Sequence, residues 1–211
     1  MKMELIEGLK WRYATKKFDP TKKINAEDLE KLKEAIQLSA SSYGLQLYKI
    51  LIIEAEALRE QLKPAAWNQP QITDASHLLV FCNETAVTEE NIQEFIDLKA
   101  EKLGMEAKEL KGYGDFIYSK WKDQSPEAQS NWTAKQTYIA LGNLLAACGE
   151  MKIDACPMEG FEPAKVNEIL GLEEQGLNAA VLCTIGYRSE EDETKDAPKV
   201  RKSLDTLFEV R

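Results

Sequence analysis

The longest helical pattern begins at Ser125 and Pro126, continues to about Gly149, and constrains the fold more than any other segment. Serine is favoured at a helix N-cap and proline at the first helical position, so the start is well defined. From Tyr138 to Cys148 the segment is apolar on nearly every side, and such a helix must be buried all round. It is either the central helix of a large core or a helix covered by a second copy of the chain. Because a 211-residue chain with few strand-like segments has a limited core, we favour the second arrangement.

The remaining sequence alternates helical and strand-like segments. Asn25 is expected to cap a helix that continues to Leu38, with Asp28 completing a weaker form of the capping box. The apolar spacing predicts further helices at 5–9, 56–62, 89–103, 106–121 and 163–170. Short apolar runs rich in β-branched residues predict strands at 48–54, 77–82 and 179–187, and the tail 206–210 has the character of an additional edge strand. Proline and glycine predict a shaped turn over 157–161.

Composition limits the partners and the location of the protein. A net charge of −9 argues against a nucleic-acid partner, because nucleic acids are bound through a broad basic face. No stretch approaches the roughly 18 consecutive apolar residues of a membrane span. The segment Met1–Glu7 also lacks the apolar core of a signal peptide. We therefore expect one cytoplasmic domain over residues 1–211, with no membrane partner.

Cysteine and histidine usage argues against a metal site. Cys82, Cys148, Cys156 and Cys183 all lie in apolar surroundings and are interpreted as buried, reduced thiols rather than ligands or nucleophiles. His77 is the single histidine and stands at the entry to an apolar run, so a histidine-rich zinc site is excluded. We expect His77 to be an ordinary histidine at the edge of a strand.

A basic stretch, residues 12–19, stands out in this acidic chain. Arg12 supplies a rigid guanidinium fork and Lys16 a point-charge ammonium, which together suit a phosphate-bearing ligand. The alternative is a solvated basic turn with no ligand. The usual nucleotide, hydrolase and zinc-protease motifs are missing, so in an enzyme of this sequence a cofactor would carry the chemistry.

Five motifs in order resemble the oxygen-insensitive nitroreductase family of FMN-dependent NAD(P)H oxidoreductases, along essentially the whole chain. The opening Arg12–Phe18 is similar to the family's Arg-x-Ser-x-Arg/Lys-x-Phe, and Ser41-Ser42 with Gln46 resembles its Pro-Ser-Ser-x-Asn-x-Gln-Pro segment. The other three are Asp74–His77 before an apolar strand, Pro157–Phe161 for the Pro-x-Glu-Gly-Phe turn, and Pro198–Arg201 for the C-terminal Lys-x-Arg.

The resemblance implies an α+β fold with a mixed sheet flanked by helices, in an intertwined homodimer that exchanges C-terminal segments. Two FMN sites at the subunit interface, NADH or NADPH as hydride donor, and ping-pong transfer to a nitroaromatic, quinone or related electron-poor acceptor are also implied. The residues implied in FMN binding are Arg12, Tyr13, Ala14, Lys16, Ser41, Ser42, Gly44, Asn68, Gln71, Pro157, Met158, Glu159, Gly160, Lys199 and Arg201. Among them, Ser41 and Ser42 would come from the other subunit, and a backbone amide near Glu159 or Gly160 would face flavin N5.

The acceptor-stacking wall and the exact activity are left open by the sequence. Candidates for the wall are Tyr43, Trp67, Phe116 and Tyr118, with ordinary packing as the alternative for each. Ala14 stands where the family has serine, and Tyr43-Gly44 and Leu47-Tyr48 also depart from the family pattern. The alternatives to a nitroreductase are a flavin-binding or sequestering protein without turnover, a purely structural dimerisation module, and a reductase specialised for pteridines, flavins or enones.

Overall fold

The computed structural model describes residues 4–211; Met1–Met3, part of the segment considered above for a signal peptide, lie outside the described residues. Four strands form one sheet in the order β1-β2-β4-β3. They are β1 (Tyr48–Ile53), β2 (His77–Glu84), β3 (Asp154–Met158) and β4 (Leu177–Gly186). Every pair in this sheet is antiparallel, so the mixed sheet implied by the resemblance is not formed among the described strands; the parallel pairing is an isolated bridge between Ala14 and Ala155.

The prediction for the 157–161 segment is partly wrong. Pro157 and Met158 belong to β3, and the turn begins only after Met158. Proline is tolerated there because β3 is an edge strand, where a missing N–H leaves no ladder bond unmade. The short strand was missed because its sequence, Asp-Ala-Cys-Pro-Met, carries neither β-branched residues nor a clear alternation.

Helices surround the sheet, and most agree with the sequence prediction. The Asn25 side chain accepts a hydrogen bond from the Asp28 amide, as expected for an N-cap. The predicted helix 106–121 is divided into a 3₁₀ turn at Ala107–Leu110 and a helix that follows it. The helices are α1 (Glu4–Trp11), α2 (Ala26–Gln37), α3 (Glu56–Ala65), α4 (Gln71–Asp74), α5 (Glu89–Leu103), α6 (Lys111–Ser119), α7 (Pro126–Met151), α8 (Pro163–Leu170) and α9 (Leu204–Leu207).

The long helix α7 packs one side on the sheet and leaves another side exposed. Ala140, Leu144 and Cys148 are fully buried, in a cluster with side chains of β2 and β4. Tyr138 and Ile139, by contrast, are 42% and 43% exposed. Burial on every side, expected from the apolar sequence, is therefore not achieved within one chain.

Two glycines allow α1 to cross α7 at close range. A Cβ on Gly149 would lie 2.8 Å from the backbone oxygen of Gly8, and a Cβ on Gly8 would lie 2.8 Å from the backbone carbon of Gly149. Neither position accepts a side chain without separating the helices. The contact holds the end of α1, and so the basic stretch after it, against the C-terminal end of α7.

The opposite face of the sheet is covered by α3, α4 and α8 around a second core cluster that includes Phe18, Leu62 and Leu182. A third cluster joins α5 and α6 to the loop that precedes β1. Helices therefore flank both faces of one antiparallel sheet, which is an α+β arrangement. None of the helices formed by residues 4–211 combines the length and the apolar run needed to cross a membrane.

The C-terminal tail lies on the surface. The strand expected over 206–210 is wrong for Thr206 and Leu207, which form part of α9, and the rest pairs with no strand in the described part of the chain. Its apolar side chains are highly exposed, with Val200 at 83% and Val210 at 99%. A strand needs a neighbour for its backbone groups, and the single chain supplies none at this place.

Candidate functional site

The basic stretch is held in shape by Asp192, which belongs to the acidic run Glu190–Glu193. Oδ2 of Asp192 accepts hydrogen bonds from the Tyr13 hydroxyl at 2.9 Å and from the amides of Lys16 at 2.9 Å and Lys17 at 3.1 Å. Oδ1 accepts from the amide and hydroxyl of Thr194. The side chain is only 2% exposed. Burial alone would raise the pKa of Asp192, but these hydrogen bonds lower it to about 2.

Three cations converge beside this turn and form what we call the cation cluster: Arg12, Lys199 and Arg201. The Lys199 ammonium donates to the Arg12 carbonyl. Burial and the charge of Arg201 lower the pKa of Arg12, and burial followed by the charges of Arg12 and Arg201 lowers the pKa of Lys199. Like charges at this range repel one another, so an anion bound among them would be favoured. The Nε of Arg12 is buried and has no hydrogen-bond partner within residues 4–211.

The predicted thiols lie beneath the cation cluster. Cys148, Cys156 and Cys183 are close enough to Arg12 to influence its pKa. All are free and buried, as predicted, and Cys82 is buried elsewhere in the core. Burial raises the pKa of Cys148 to about 12 and that of Cys183 well above its ordinary value. Thiols in this state are neutral at physiological pH and are poor nucleophiles.

Gln71 extends the site away from the cation cluster. Its side chain is buried at the start of α4 and contacts the Cys156 thiol. Among the described residues, Oε1 of Gln71 finds no donor. A buried carbonyl without a donor costs free energy, which a ligand N–H or O–H would recover. Asn68, in the loop before α4, is exposed and has a left-handed φ of 56°.

The turn after β3 adds two backbone donors. The amides of Glu159 and Gly160 have no acceptor in residues 4–211, whereas the next amide, of Phe161, donates to the Glu159 carbonyl at 3.0 Å. Gln69 donates to the Gly160 carbonyl at 2.8 Å. Trp67 covers Gly160 so closely that a Cβ there would lie 2.9 Å from the indole ring. A side chain at this position would have to displace the Trp67 ring, so glycine allows the indole to lie close over the turn that carries the free amides.

Tyr13 and Ala14 have local structural roles. The Tyr13 ring lies 4.6 Å from the Arg188 guanidinium, which also covers Trp11 at 4.3 Å and pairs with buried Asp154 at 2.6 Å. Ala14 forms the parallel bridge to β3 described above through its backbone. Lys16 is exposed, and its ammonium forms no ion pair with the described residues. Its positive charge nevertheless acts to lower the pKa of the Cys156 thiol.

The remaining predicted residues lie in a second group, on a different side of α7. The Ser42 amide donates to Gln136 of α7 at 2.9 Å, and the Tyr43 ring lies 6.5 Å from that of Trp132. From residue 136 to residue 148 is 12 positions of α7, or about 18 Å at the helical rise per residue. Ser41, Ser42, Tyr43 and Gly44 are thus not brought to Arg12 within one chain.

Phe116 and Tyr118 belong to the same distant region. Tyr118 packs in the third core cluster, together with Trp121 and Trp132, and Phe116 is exposed beside Lys120. Trp67 is the exception among the four wall candidates, since it covers Gly160. Within one chain the predicted residues therefore form two separate groups: the cation cluster with Gln71 and the 159–160 amides, and the loop 41–44 with α6.

Sequence reasoning missed Asp192 and the ion pair of Asp154 with Arg188. The Asp192 signal was present but ambiguous, because an acidic residue in the run Glu190–Glu193 is normally solvated. Only the approach of this segment to residues 13–17 distinguishes it from its neighbours. His77 was predicted correctly as a histidine at a strand edge; its Nδ1 lies 3.0 Å from the Ser76 hydroxyl at the start of β2.

The fold brings a cluster of cations together between a sheet edge and the N- and C-terminal segments of the chain. Comparison with known proteins identifies the family to which the chain belongs. The model of the Nitroreductase family matches residues 9–187. The major NAD(P)H-flavin oxidoreductase of Aliivibrio fischeri is 32% identical over 98% of each chain. The oxygen-insensitive NAD(P)H nitroreductase of Enterobacter cloacae is 33% identical over 97% of this chain and 98% of its own. This chain belongs to the nitroreductase family.

The solved structures agree on the fold. A nitroreductase-like protein from Streptococcus mutans superposes with a TM-score of 0.84 at 17% identity and covers 100% of both chains. The nitroreductase family protein from Streptococcus pneumoniae gives a TM-score of 0.79 at 23% identity, over 98% of this chain and 99% of its own. At these identities the agreement concerns architecture alone, and it confirms the nitroreductase-like α+β fold.

Proposed function

We propose that this protein is an FMN-dependent NAD(P)H oxidoreductase. The observation that carries the proposal is the buried Nε of Arg12, which lies without a partner in a cluster of three cations. A dianionic phosphate would supply the missing acceptor and relieve the repulsion at the same time. The relatives support the same activity, since the Aliivibrio fischeri and Enterobacter cloacae proteins are named for flavin and NAD(P)H chemistry.

The described residues fit FMN. Arg12, Lys199 and Arg201, with Lys16 nearby, would hold the phosphate and the adjoining ribityl chain. The unpaired Oε1 of Gln71 and the exposed Asn68 would bond ribityl hydroxyls or the polar edge of the ring system. The unpaired amides of Glu159 and Gly160 would serve as donors to the ring. FMN alone would provide hydrogen-bond partners for all of these unpaired polar atoms.

The chemistry that FMN supplies when bound is hydride acceptance from NAD(P)H and delivery of two electrons to an acceptor. The chain's own part is electrostatic. Cations and aligned amide donors stabilise negative charge without having to reorganise, which favours the reduced state of a ligand that gains negative charge. No side-chain acid or base is required, which agrees with the neutral thiols beneath the site.

We infer that two chains complete the site. Tyr138 and Ile139 leave an apolar strip of α7 exposed, and α1 adds the partly exposed Leu5, Ile6 and Leu9. Pairing two copies across these faces in opposite directions would bring the loop 41–44 of one chain to the cation cluster of the other. The exposed apolar tail, with Val200, Leu204, Leu207, Phe208 and Val210, would wrap onto the second copy as an exchanged segment of a single 1–211 domain.

The acceptor is proposed to be a nitroaromatic, a quinone or a related electron-poor compound, which uses the same cleft as NAD(P)H in a ping-pong order. Tyr43, Phe116 and Tyr118 of one copy and Trp67 of the other would form the aromatic wall of that cleft. Reduction of free flavin is a second candidate, favoured by the name of the Aliivibrio fischeri relative. Parallel lines in double-reciprocal plots at several acceptor concentrations would support the ping-pong order, and intersecting lines would contradict it.

Flavin content is the first test. The purified protein is expected to be yellow, and its visible band should bleach on addition of NADH or NADPH. Colourless protein that takes up no added FMN would refute the proposal. Protein that binds FMN but consumes no NAD(P)H with menadione, nitrofurazone or free flavin present would instead be a sequestering protein.

The phosphate contact is tested by substitution of Arg12. Hydrogen bonds to charged groups contribute roughly 1.5–3 kcal/mol, so Arg12→Ala should weaken FMN binding by about tenfold or more. Arg12→Lys keeps the charge without the fork and should recover part of the affinity. Lys10→Ala is the matched control, because Lys10 is an exposed cation of the same region that pairs with Glu7. Equal affinities in Arg12→Ala and Lys10→Ala would contradict the assignment.

A further inference from the structure

A tyrosine on α7 contacts the turn that carries the free amides. The Tyr138 hydroxyl donates to Oε1 of Glu159 at 2.5 Å. Both side chains line an apolar cleft together with Leu141, Gly142, Leu145, Pro157 and Val181. Burial in this cleft, followed by the hydrogen bond and the charge of Glu159, raises the pKa of Tyr138 to about 12. The hydroxyl therefore stays protonated and remains a donor over the whole physiological range.

The position of the Glu159 carboxylate matters because the same turn contains two unpaired donors. The amides of Glu159 and Gly160 find no acceptor in the described chain. A glutamate carboxylate can accept hydrogen bonds from nearby backbone N–H groups, as it does in a capping box, so the free amides of this turn are possible donors to it. The hydrogen bond to Tyr138 directs the carboxylate to α7 instead. A carboxylate released toward the amides would compete with any ligand for them and would add negative charge beside it.

We propose that Tyr138 is a positioning residue, which holds the Glu159 carboxylate on α7 and so keeps the amides of Glu159 and Gly160 available to the cofactor. The inference rests on the proposed flavin site. The turn has other restraints that do not involve Tyr138: Gln69 donates to the Gly160 carbonyl, and the Glu162 amide donates to the Ala65 carbonyl at 2.8 Å. Removing one hydroxyl should therefore leave the turn folded and change only where the carboxylate lies.

The experiment is a double-mutant cycle on the full-length protein, with FMN titrated into apoprotein and followed by flavin fluorescence. Tyr138→Phe should raise the Kd for FMN about fivefold, the effect of one modest hydrogen bond. In a Glu159→Ala background, which has no carboxylate to release, the same change should have little effect. Tyr187→Phe is the control, because Tyr187 follows β4 next to the Asp154 end of β3, opposite to the turn after Met158.

A second readout does not require cofactor. With ¹³Cζ-labelled tyrosine, the Tyr138 resonance should shift in Glu159→Ala if the hydroxyl donates to that carboxylate, and an unchanged resonance would overturn the inference. An FMN Kd for Tyr138→Phe equal to that of Tyr187→Phe would overturn it too, as would an equal loss with and without Glu159. Wild-type protein that binds no FMN would refute the proposed function together with this inference, which distinguishes the two failures.

Discussion

Asp192 provides the sharpest test of how the basic stretch is held. Its carboxylate accepts five hydrogen bonds and is almost completely buried. The fall of its pKa from 3.8 to about 2 corresponds to about 2 kcal/mol of stability at neutral pH. Asp192→Asn replaces one accepting oxygen with a donating NH₂ group that faces donors. We expect the free energy of unfolding to fall by about 2 kcal/mol or somewhat more.

The sign of the pH dependence follows from the direction of the shift. A carboxyl whose pKa is lower in the folded state stabilises the fold above its unfolded pKa, and this stabilisation is lost as pH falls. For Asp192 the loss begins near the ordinary value of 3.8 and is largely complete near pH 2. The difference between wild type and Asp192→Asn should therefore be large at pH 7 and small at the lowest pH at which the protein remains folded.

Urea unfolding at a series of pH values measures this difference. Glu193→Gln is the matched control, because Glu193 is exposed in the same segment. Asp192→Asn should also weaken FMN binding, since Asp192 bonds the amides of Lys16 and Lys17 and lies seven residues before Lys199. If Asp192→Asn matched Glu193→Gln at pH 7, or if its effect were the same at pH 7 and pH 3, the reasoning would be refuted.

Four further outcomes are expected. Gly149→Ala should lower the free energy of unfolding by about 2 kcal/mol, because its Cβ meets the Gly8 backbone; thermal melting against Gly142→Ala, an open position, checks this. Burial lowers the pKa of His77. Wild type should therefore lose stability as the pH falls below about 6.5, the ordinary pKa of histidine. In the same urea series, His77→Gln should lose less stability over this pH range. Gln71→Leu should stabilise apoprotein, which has an unpaired Oε1 there, while weakening FMN binding measured by titration. Ile139→Asp should shift the sedimentation coefficient from dimer to monomer, whereas an unchanged dimer would contradict pairing through α7.

The elements that follow from local chemistry were predicted closely. Ser125 caps α7 through the Ala128 amide, and the helix extends two residues past the predicted end at Gly149. Asn25 likewise caps α2. These succeeded because caps and apolar periodicity act between residues that are close in sequence. The edge strand β3 and the one-turn helix α9 were missed because a strand depends on its neighbours, and a four-residue helix has little periodicity to detect.

By itself the sequence determined the helical framework, the buried thiols, the position of Arg12 after α1, and the motif order that indicates the family. Only the tertiary structure decided that Asp192 supports the basic stretch, that Tyr138 contacts Glu159, and that the predicted site residues fall into two groups on different sides of α7. The physical reason is how far apart in the sequence the interacting residues lie. Capping and amphipathic burial depend on neighbours a few positions away, whereas a hydrogen bond between residues 13 and 192 exists only once the two ends of the chain have been packed together.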